Sequence, residues 1–309
     1  GLGNTVFAVK TLATLGALGK LPAQRREELT SFVESFCRPD GMVSDPWVGR
    51  RSSLRNKFNC VLQRDWSNFF NSQVRRAETR QALALLGRMR MPPAAETDTE
   101  NNDVEGWLER LDWRRPGAAG SHASHLLFFL AQRRDAGDSA LVLGLRVAAW
   151  LMEFQREDGG WYRGAPSPRE KALGAMKIVT GLRAWGGIAP PRPERLVDLA
   201  LAARGGADAC SWLNAVYLLR HGAARAPSYR ATDVQAFARD ALTRHAAHYH
   251  SVHGAFSFHP GRANTHYYGA RVSRGLPEPD VHGTMLLTWS LSLLQPLLAA
   301  DWGLVEVAA

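Results

Sequence analysis

The stretch FQREDGGW (residues 154–161) decides the fold class, because it ends one helix pattern and precedes another. Residues 138–155 place apolar side chains at spacings of three and four, which is typical of an amphipathic helix. Asp158, Gly159 and Gly160 then break the pattern. A second helix, rich in Ala and Gly, follows at 170–185. The unit is therefore a helix, a tight turn ending in an aromatic residue, and a helix.

Weaker copies of this unit occur elsewhere in the chain. CRPDGM at 37–42 follows a helix pattern near 23–37, and HGAF at 253–256 follows one near 232–250. Helices rich in small residues are expected near 4–18, 75–88, 121–134, 170–185, 207–222 and 281–296, and more charged helices near 23–37, 103–111, 138–155, 192–203 and 232–250. Repeated helix pairs favour a stacked or closed array. We therefore predict one all-α domain over 1–309, an (α/α)6 toroid (an α-α barrel), with loop insertions near 50–74 and 92–103.

Charge and cysteine usage limit the classes of partner. The net charge of +9 comes mostly from scattered Arg residues, which suits an anionic small molecule. A nucleic-acid partner is not expected, because no basic stripe with interleaved aromatic residues occurs. Three cysteines without a paired framework indicate a reducing, cytoplasmic compartment. No apolar run is long enough for a transmembrane segment.

The turn at 154–161 resembles the Gln-x-x-Asp-Gly-Gly-aromatic turn of the squalene and oxidosqualene cyclases and of the protein prenyltransferase β subunits. The resemblance is specific at 154–161 and weaker at 36–42. It implies the toroid that both families share. The turn is structural in those families, so it concerns fold and not chemistry.

A second resemblance concerns zinc. The prenyltransferases hold zinc with an Asp-x-Cys pair at the start of one inner helix and a His at the start of the last one. Asp208 and Cys210 resemble the pair, and His282 resembles the third ligand, with Asp280 and His266 in reserve. Zinc favours this ligand set, and three protein ligands leave a catalytic position open. The alternative is a helix N-cap at Asp208 followed by a buried thiol.

The chain also departs from the prenyltransferase pattern. That family carries basic residues upstream of the Asp-x-Cys pair to hold diphosphate. Here the matching positions are Ala202 and Gly205, and only Arg204 is near. Protein prenylation as such is therefore not implied.

The segment PDVHGT (279–284) offers two further alternatives. In class II cyclases an Asp-x-Asp-Asp-Thr motif protonates an alkene, and here His282 and Gly283 replace its last two carboxylates. Histidine is too weak an acid for an isolated alkene, so this chemistry requires an activated substrate. The pair His282-Gly283 is also similar to the zinc-binding His-Gly of the lanthionine cyclases, which ranks third.

Other residues are candidates for binding a substrate. His122 and His125 lie one turn apart on a predicted inner helix, and Trp212 follows the Asp-x-Cys pair. Aromatic side chains receive prenyl chains and stabilise carbocations. Tyr267, Tyr268 and Arg271 follow a glycine-containing loop and are candidates for orienting an anionic head group.

These observations lead to one functional hypothesis with alternatives. We expect an enzyme that performs zinc-assisted prenyl transfer or cyclisation on an anionic isoprenoid-like molecule in an aromatic-lined cavity. Its catalytic candidates are Asp280, His282 and Tyr267, and its substrate-binding candidates are Arg204, Trp212, Tyr268, Arg271, His122 and His125. The alternatives are a metal-free class II-like terpene cyclase, a non-catalytic toroid that binds a protein or peptide partner as a scaffold subunit, and a lanthionine-cyclase-like zinc enzyme.

Overall fold

The computed structural model of the chain describes residues 1–62, 73–89, 103–134, 138–204, 206–268 and 270–307. These residues are mostly helical, so the all-α prediction is confirmed. In chain order the helices are α1 (Leu2–Thr14), α2 (Ala23–Glu34), α3 (Pro46–Leu62), α4 (Gln73–Met89), α5 (Val104–Arg110), α6 (Pro116–Arg133), α7 (Asp138–Phe154), α8 (Pro168–Gly186), α9 (Pro193–Ala202), α10 (Ala209–Ala223), α11 (Ala231–Ala246) and α12 (Val281–Leu297). A short 3-10 helix (Leu18–Lys20) follows α1.

Two small antiparallel hairpins lie between α11 and α12. Strand β1 (Tyr249–His250) pairs with β2 (Ala255–Phe256), and β3 (His266–Tyr267) pairs with β4 (Ala270–Arg271). In the second hairpin His266 faces Arg271 and Tyr267 faces Ala270. The hairpins place the His- and Tyr-rich segment directly before the N-terminus of α12.

The chain divides into two compact units. The first comprises Gly1–Glu96, Arg244–Ser292 and Asp301–Val307, and the second comprises Thr97–Thr243, Leu293–Ala300 and Ala308–Ala309. The single-domain prediction stays a prediction. In the part of the chain that the structure describes, no helix combines the length and apolar character needed to cross a bilayer.

The structure tests one of the two predicted loop insertions and describes almost none of the other. The loop prediction near 50–74 is wrong over 50–62, which belongs to α3, and over 73–74, which opens α4. Several of its apolar side chains are exposed (Leu54, Phe58 and Leu62), whereas Val48 and Cys60 are buried. Its pattern therefore lacks the periodic signal that indicates a helix. Residues 63–72, and all of 92–103 except Asp103, lie outside the described residues.

The turn at 154–161, in the second compact unit, is held together by hydrogen bonds of its own side chains. Gln155 donates its side-chain amide to the carbonyl of Gly159 (3.2 Å), and Asp158 accepts the backbone N–H of Gly160 (3.1 Å). The fully buried Trp161 donates its indole N–H to the carbonyl of Leu151 (2.6 Å). The aromatic residue thus ties the turn back to α7, which satisfies the polar group of a buried side chain.

The copies of this turn also form tight turns. Cys37 and Val43 make an antiparallel bridge around Gly41, whose φ is +74°. Gly254, with a φ of +61°, turns the β1–β2 hairpin. Glycine adopts a positive φ without the steric strain that other residues have. Gly41, Gly159 and Gly254 therefore share the requirement for a left-handed backbone conformation.

Small residues bring α6 and α8 into close contact. A Cβ atom on Gly120 would lie 2.8 Å from the carbonyl oxygen of Gly174, and one on Gly181 would lie 2.7 Å from the Cα of Ser124. Larger side chains at these positions would push the two helices apart. The Ala- and Gly-rich character of these segments is therefore a packing requirement.

We expect Gly159→Ala to lower the free energy of unfolding more than Gly187→Ala. Both glycines have a positive φ, +86° and +68°, but only at Gly159 would the new Cβ meet backbone, 2.6 Å from the carbonyl oxygen of Arg195. Backbone strain alone costs about 1 kcal/mol, and the clash raises the cost at Gly159 to about 3 kcal/mol. Urea unfolding of the two variants measures the difference. Equal losses would contradict the close approach of α9 to this turn.

Candidate functional site

The N-terminus of α12, in the first compact unit, is fixed by the carboxylate of Asp280. One oxygen accepts the backbone N–H of Gly283 (2.8 Å), which caps the helix. The other accepts the N–H groups of Phe258 (2.7 Å) and Asn264 (3.0 Å). One side chain therefore joins the helix start to both hairpin segments, and Asp280 acts as a positioning residue.

Asn264 connects this cap to the ring of His282. Its side-chain amide donates to the carbonyl of His266 (2.8 Å), which fixes the orientation of the amide group, and it lies 3.2 Å from Nδ1 of His282. Nδ1 therefore accepts the second bond, which leaves the ring proton on Nε2. The loop thus sets both the orientation and the tautomer of His282.

Aromatic rings surround His282. The ring of Phe7, on α1, stacks on it with centroids 4.6 Å apart and planes 6° apart. Phe258 lies 5.0 Å away, and Tyr267 meets it edge-on at 6.3 Å. Tyr268 packs against Tyr267 at 4.5 Å. We call these five rings the aromatic cluster; it combines apolar faces with three titratable side chains, His282, Tyr267 and Tyr268.

Gly283 has a steric function in this arrangement. A Cβ atom there would lie 2.2 Å from the backbone nitrogen of Phe258. The loop carrying Phe258 therefore crosses directly over the first turn of α12. This close approach accounts for the glycine of the His282-Gly283 pair.

A buried acidic pair lies beside Tyr267. The backbone N–H of Asp45 donates to Oε2 of Glu78 on α4 (3.1 Å), and the side chain of Asp45 accepts the N–H groups of Leu2 (3.3 Å) and Trp47 (2.9 Å). Glu78 is 1% exposed and Asp45 is 8% exposed. Among the described residues, Oε1 of Glu78 and the hydroxyl of Tyr267 have no hydrogen-bond partner. Buried polar atoms of this kind are rare and call for an explanation.

The environment shifts the acidity of both groups. Burial raises the pKa of Glu78 to about 7, and the nearby charge of Asp45 adds to this, while the Asp45 amide and Arg38 act in the opposite direction. Burial also raises the pKa of Tyr267 well above its usual value, with Tyr268, Glu78 and Asp45 contributing. Glu78 therefore titrates near neutral pH, and Tyr267 stays a neutral hydroxyl.

Asp208 and Cys210 lie at the start of α10, in the second compact unit. One oxygen of Asp208 accepts the backbone N–H of Ser211 and its hydroxyl, both at 2.9 Å, and the other pairs with Arg169. Burial raises the pKa of the Cys210 thiol. These contacts are those of a helix cap followed by a protonated thiol.

This arrangement bears on the zinc prediction. Both oxygens of Asp208 are engaged in the cap and the ion pair, and His282 belongs to the first compact unit. Among residues that the structure describes, no group of three His, Cys, Asp or Glu side chains is placed to hold a metal ion. The zinc site stays a prediction.

The other predicted binding residues make local contacts within their own compact units. In the second unit, Arg204 pairs with Asp240 (3.2 Å), Trp212 packs in the core against Phe237, and His122 and His125 are buried on α6. In the first unit, Arg271 donates to the carbonyl of Ser273 (3.3 Å), and the reserve ligand His266 is exposed and bonds Thr265. Of the predicted residues, the structure brings together Asp280, His282, Tyr267 and Tyr268.

Five residues of this region were not predicted: Phe7, Asp45, Glu78, Phe258 and Asn264. A signal existed for Glu78, because a carboxylate within the apolar pattern of a helix is unusual at a core-facing position. Nothing local marks the other four. Their roles depend on contacts between segments distant in sequence.

For Asp208→Ala we expect a loss of about 1–2 kcal/mol in the free energy of unfolding, because the cap and the ion pair with Arg169 are removed together. Metal analysis of the purified protein is the companion measurement. The zinc prediction requires about one equivalent of metal per chain, lost in Cys210→Ser and kept in the control Cys37→Ser. A metal-free wild-type protein would leave the cap as the role of Asp208.

The acidity of Glu78 predicts a pH-dependent stability. Its pKa is about 7 in the folded protein against a reference value of 4.5, so the folded state binds the proton more tightly. This stabilisation is fully present below about pH 4.5 and is lost as pH rises to about 7, a change on the order of 3 kcal/mol. Glu78→Gln keeps an acceptor for the Asp45 amide and should remove this part of the pH dependence. The control Glu157→Gln, at an exposed position, should not; urea unfolding at several pH values tests both.

Comparisons with known proteins add no assignment. The chain matched no protein-family model, no curated protein and no solved structure. The functional conclusion therefore depends on the residues of this chain.

Proposed function

We propose that the protein is an enzyme of isoprenoid-type chemistry that works by acid–base catalysis, as in the metal-free class II-like alternative. The observation that carries the proposal is the aromatic cluster, in which His282 is held in one tautomer against Phe7 and beside Tyr267. Aromatic faces suit an apolar chain and a carbocation. Oriented titratable groups beside them suit proton transfer.

Each residue has a role in this proposal. Asp280 positions the loop and the helix start, and Asn264 orients the ring of His282. With its proton on Nε2, the neutral ring of His282 donates a hydrogen bond to the substrate oxygen, and the hydroxyl of Tyr267 donates a second one. Phe7 and Phe258 supply the apolar contact.

Charge near the cluster favours one kind of substrate. Asp45 and Glu78 lie beside Tyr267, and a buried acidic pair repels a diphosphate. Arg204, proposed to receive an anionic group, is paired with Asp240. We therefore favour an apolar chain with an activated oxygen function, such as an epoxide, over an allylic diphosphate. The anionic isoprenoid-like substrate, with Arg271 at its head group, is the competing proposal.

The architecture belongs to the same proposal. Alternating helices and Asp-Gly turns support an (α/α)6 toroid in a cytoplasmic enzyme, and they equally support a non-catalytic scaffold toroid. Besides the acid–base enzyme and the scaffold toroid, zinc-assisted prenyl transfer is the third function proposed for this architecture. The experiment below separates them by substrate and by metal dependence.

The test is conversion of three probes: a polyprene epoxide, a polyprenyl alcohol and an allylic diphosphate, each with and without a chelator. We expect the epoxide to give an isomer of unchanged mass, detected by chromatography and mass spectrometry, at a rate insensitive to chelation. His282→Phe keeps the stacked ring but removes the nitrogens, and should lower the rate by about 100-fold. The control His253→Phe changes an exposed histidine and should have no effect.

Other results would contradict the proposal. Conversion of the diphosphate alone, abolished by chelation and restored by zinc, would support zinc-assisted prenyl transfer. Saturable binding of a probe without conversion of any would support the scaffold alternative.

A further inference from the structure

We propose that the carboxyl group of Glu78 donates and takes back the proton in this site, with Asp45 and Tyr267 as its positioning partners. This inference rests on the proposed function and extends it to a residue on α4. Neither Glu78 nor Asp45 has a part in the zinc or class II motifs of the chain.

The two oxygens of Glu78 have different environments. Oε2 accepts the backbone N–H of Asp45 at 3.1 Å. Oε1 is buried and has no hydrogen-bond partner among the described residues. The acid form therefore carries its proton on Oε1, since Oε2 is already engaged as an acceptor. An O–H without a protein partner is able to donate to a bound molecule.

The surroundings keep this carboxyl in place. Asp45 is held by the N–H groups of Leu2 and Trp47 and in turn orients Oε2 of Glu78. The first turns of α1 connect the pair to the aromatic cluster: Leu2 bonds Asp45, and Phe7 stacks on His282. Between them, a Cβ atom on Gly3 would lie 3.3 Å from the hydroxyl of Tyr267. Among the described residues, this hydroxyl also has no hydrogen-bond partner.

The charged groups that act on Glu78 come from several segments. Asp45 precedes α3 and raises the pKa of Glu78, whereas Arg38, in the turn after α2, lowers it. Tyr267, on β3, stays neutral because burial, followed by Tyr268 and the two carboxyl groups, raises its pKa. Removing the charge of Asp45 should therefore make Glu78 a stronger acid. A shift of the pH profile in an Asp45 variant is therefore a readout that a purely structural role of Glu78 would not give.

The step balances as follows for an epoxide. The O–H bond of Glu78 breaks, a new O–H bond forms on the epoxide oxygen, and the C–O bond opens to leave a carbocation that the chain's own double bond attacks. Loss of a proton from carbon next to the final cation returns that proton to the Glu78 carboxylate. Substrate and product therefore have the same composition, and no oxidant or reductant is needed.

The experiment compares wild-type protein with Glu78→Gln, Asp45→Asn and the exposed control Glu157→Gln on the polyprene epoxide across a pH series. We expect Glu78→Gln to lower kcat by about 100-fold or more and Glu157→Gln to leave it unchanged. The wild-type rate should fall above about pH 7, where Glu78 loses its proton. In Asp45→Asn this fall should begin at a lower pH. Circular dichroism and urea unfolding establish that each variant is folded.

The outcomes separate the two proposals. Epoxide conversion by wild-type protein with Glu78→Gln within threefold of it would overturn the role of Glu78 and leave the proposed function standing. An Asp45→Asn profile that matches the wild-type profile would also overturn that role. If wild-type protein converts no probe, the proposed function fails, and the role of Glu78 fails with it.

Discussion

The carboxylate of Asp280 is the constraint on which the candidate site depends. Its three backbone N–H bonds come from the first turn of α12 and from two segments of the preceding loop. A buried or half-buried N–H group that loses its acceptor costs free energy, so the three bonds hold these segments together. Gly283 permits the same arrangement sterically, because any larger residue would collide with Phe258. Asp280 also holds the backbone of Asn264, and the side chain of Asn264 in turn orients the ring of His282.

The acidic pair gives this site its chemical character. A carboxyl group at the surface is ionised at neutral pH, but burial of Glu78 beside Asp45 makes it titrate near 7. The energetic cost is a lower stability at neutral and alkaline pH than at mildly acidic pH. Groups with such perturbed acidity occur more often at functional sites than elsewhere, although structural networks also produce them. The partnerless atoms of Glu78 and Tyr267 favour the functional explanation.

In the second compact unit, a motif that resembles a zinc pair makes the contacts of a helix cap. Asp208 and Cys210 match a zinc pair in spacing, but Asp208 is engaged as a cap and an ion pair, and burial keeps the thiol protonated. An Asp at the first position of a helix satisfies orphan backbone donors whether or not a metal is bound. The spacing alone therefore cannot distinguish the two roles. In this unit the Asp-Gly turn with Trp161 and the small-residue contact between α6 and α8 account for the local architecture.

The sequence by itself determined the helices and the turns between them. Periods of three and four apolar residues are a local property, and every helix predicted from them is present. Helix α3 was missed because its apolar residues do not recur at helical spacing, and Leu54, Phe58 and Leu62 are exposed. Asp280 and His282 were candidates because residues 279–284 resemble known motifs, and Tyr267 was a candidate because it follows a glycine-containing loop. Only the tertiary structure joined Phe7, Asp45 and Glu78 to them, because these residues come from distant segments. Burial and the charges of neighbours set the acidity of Glu78, and neither is a property of the local sequence.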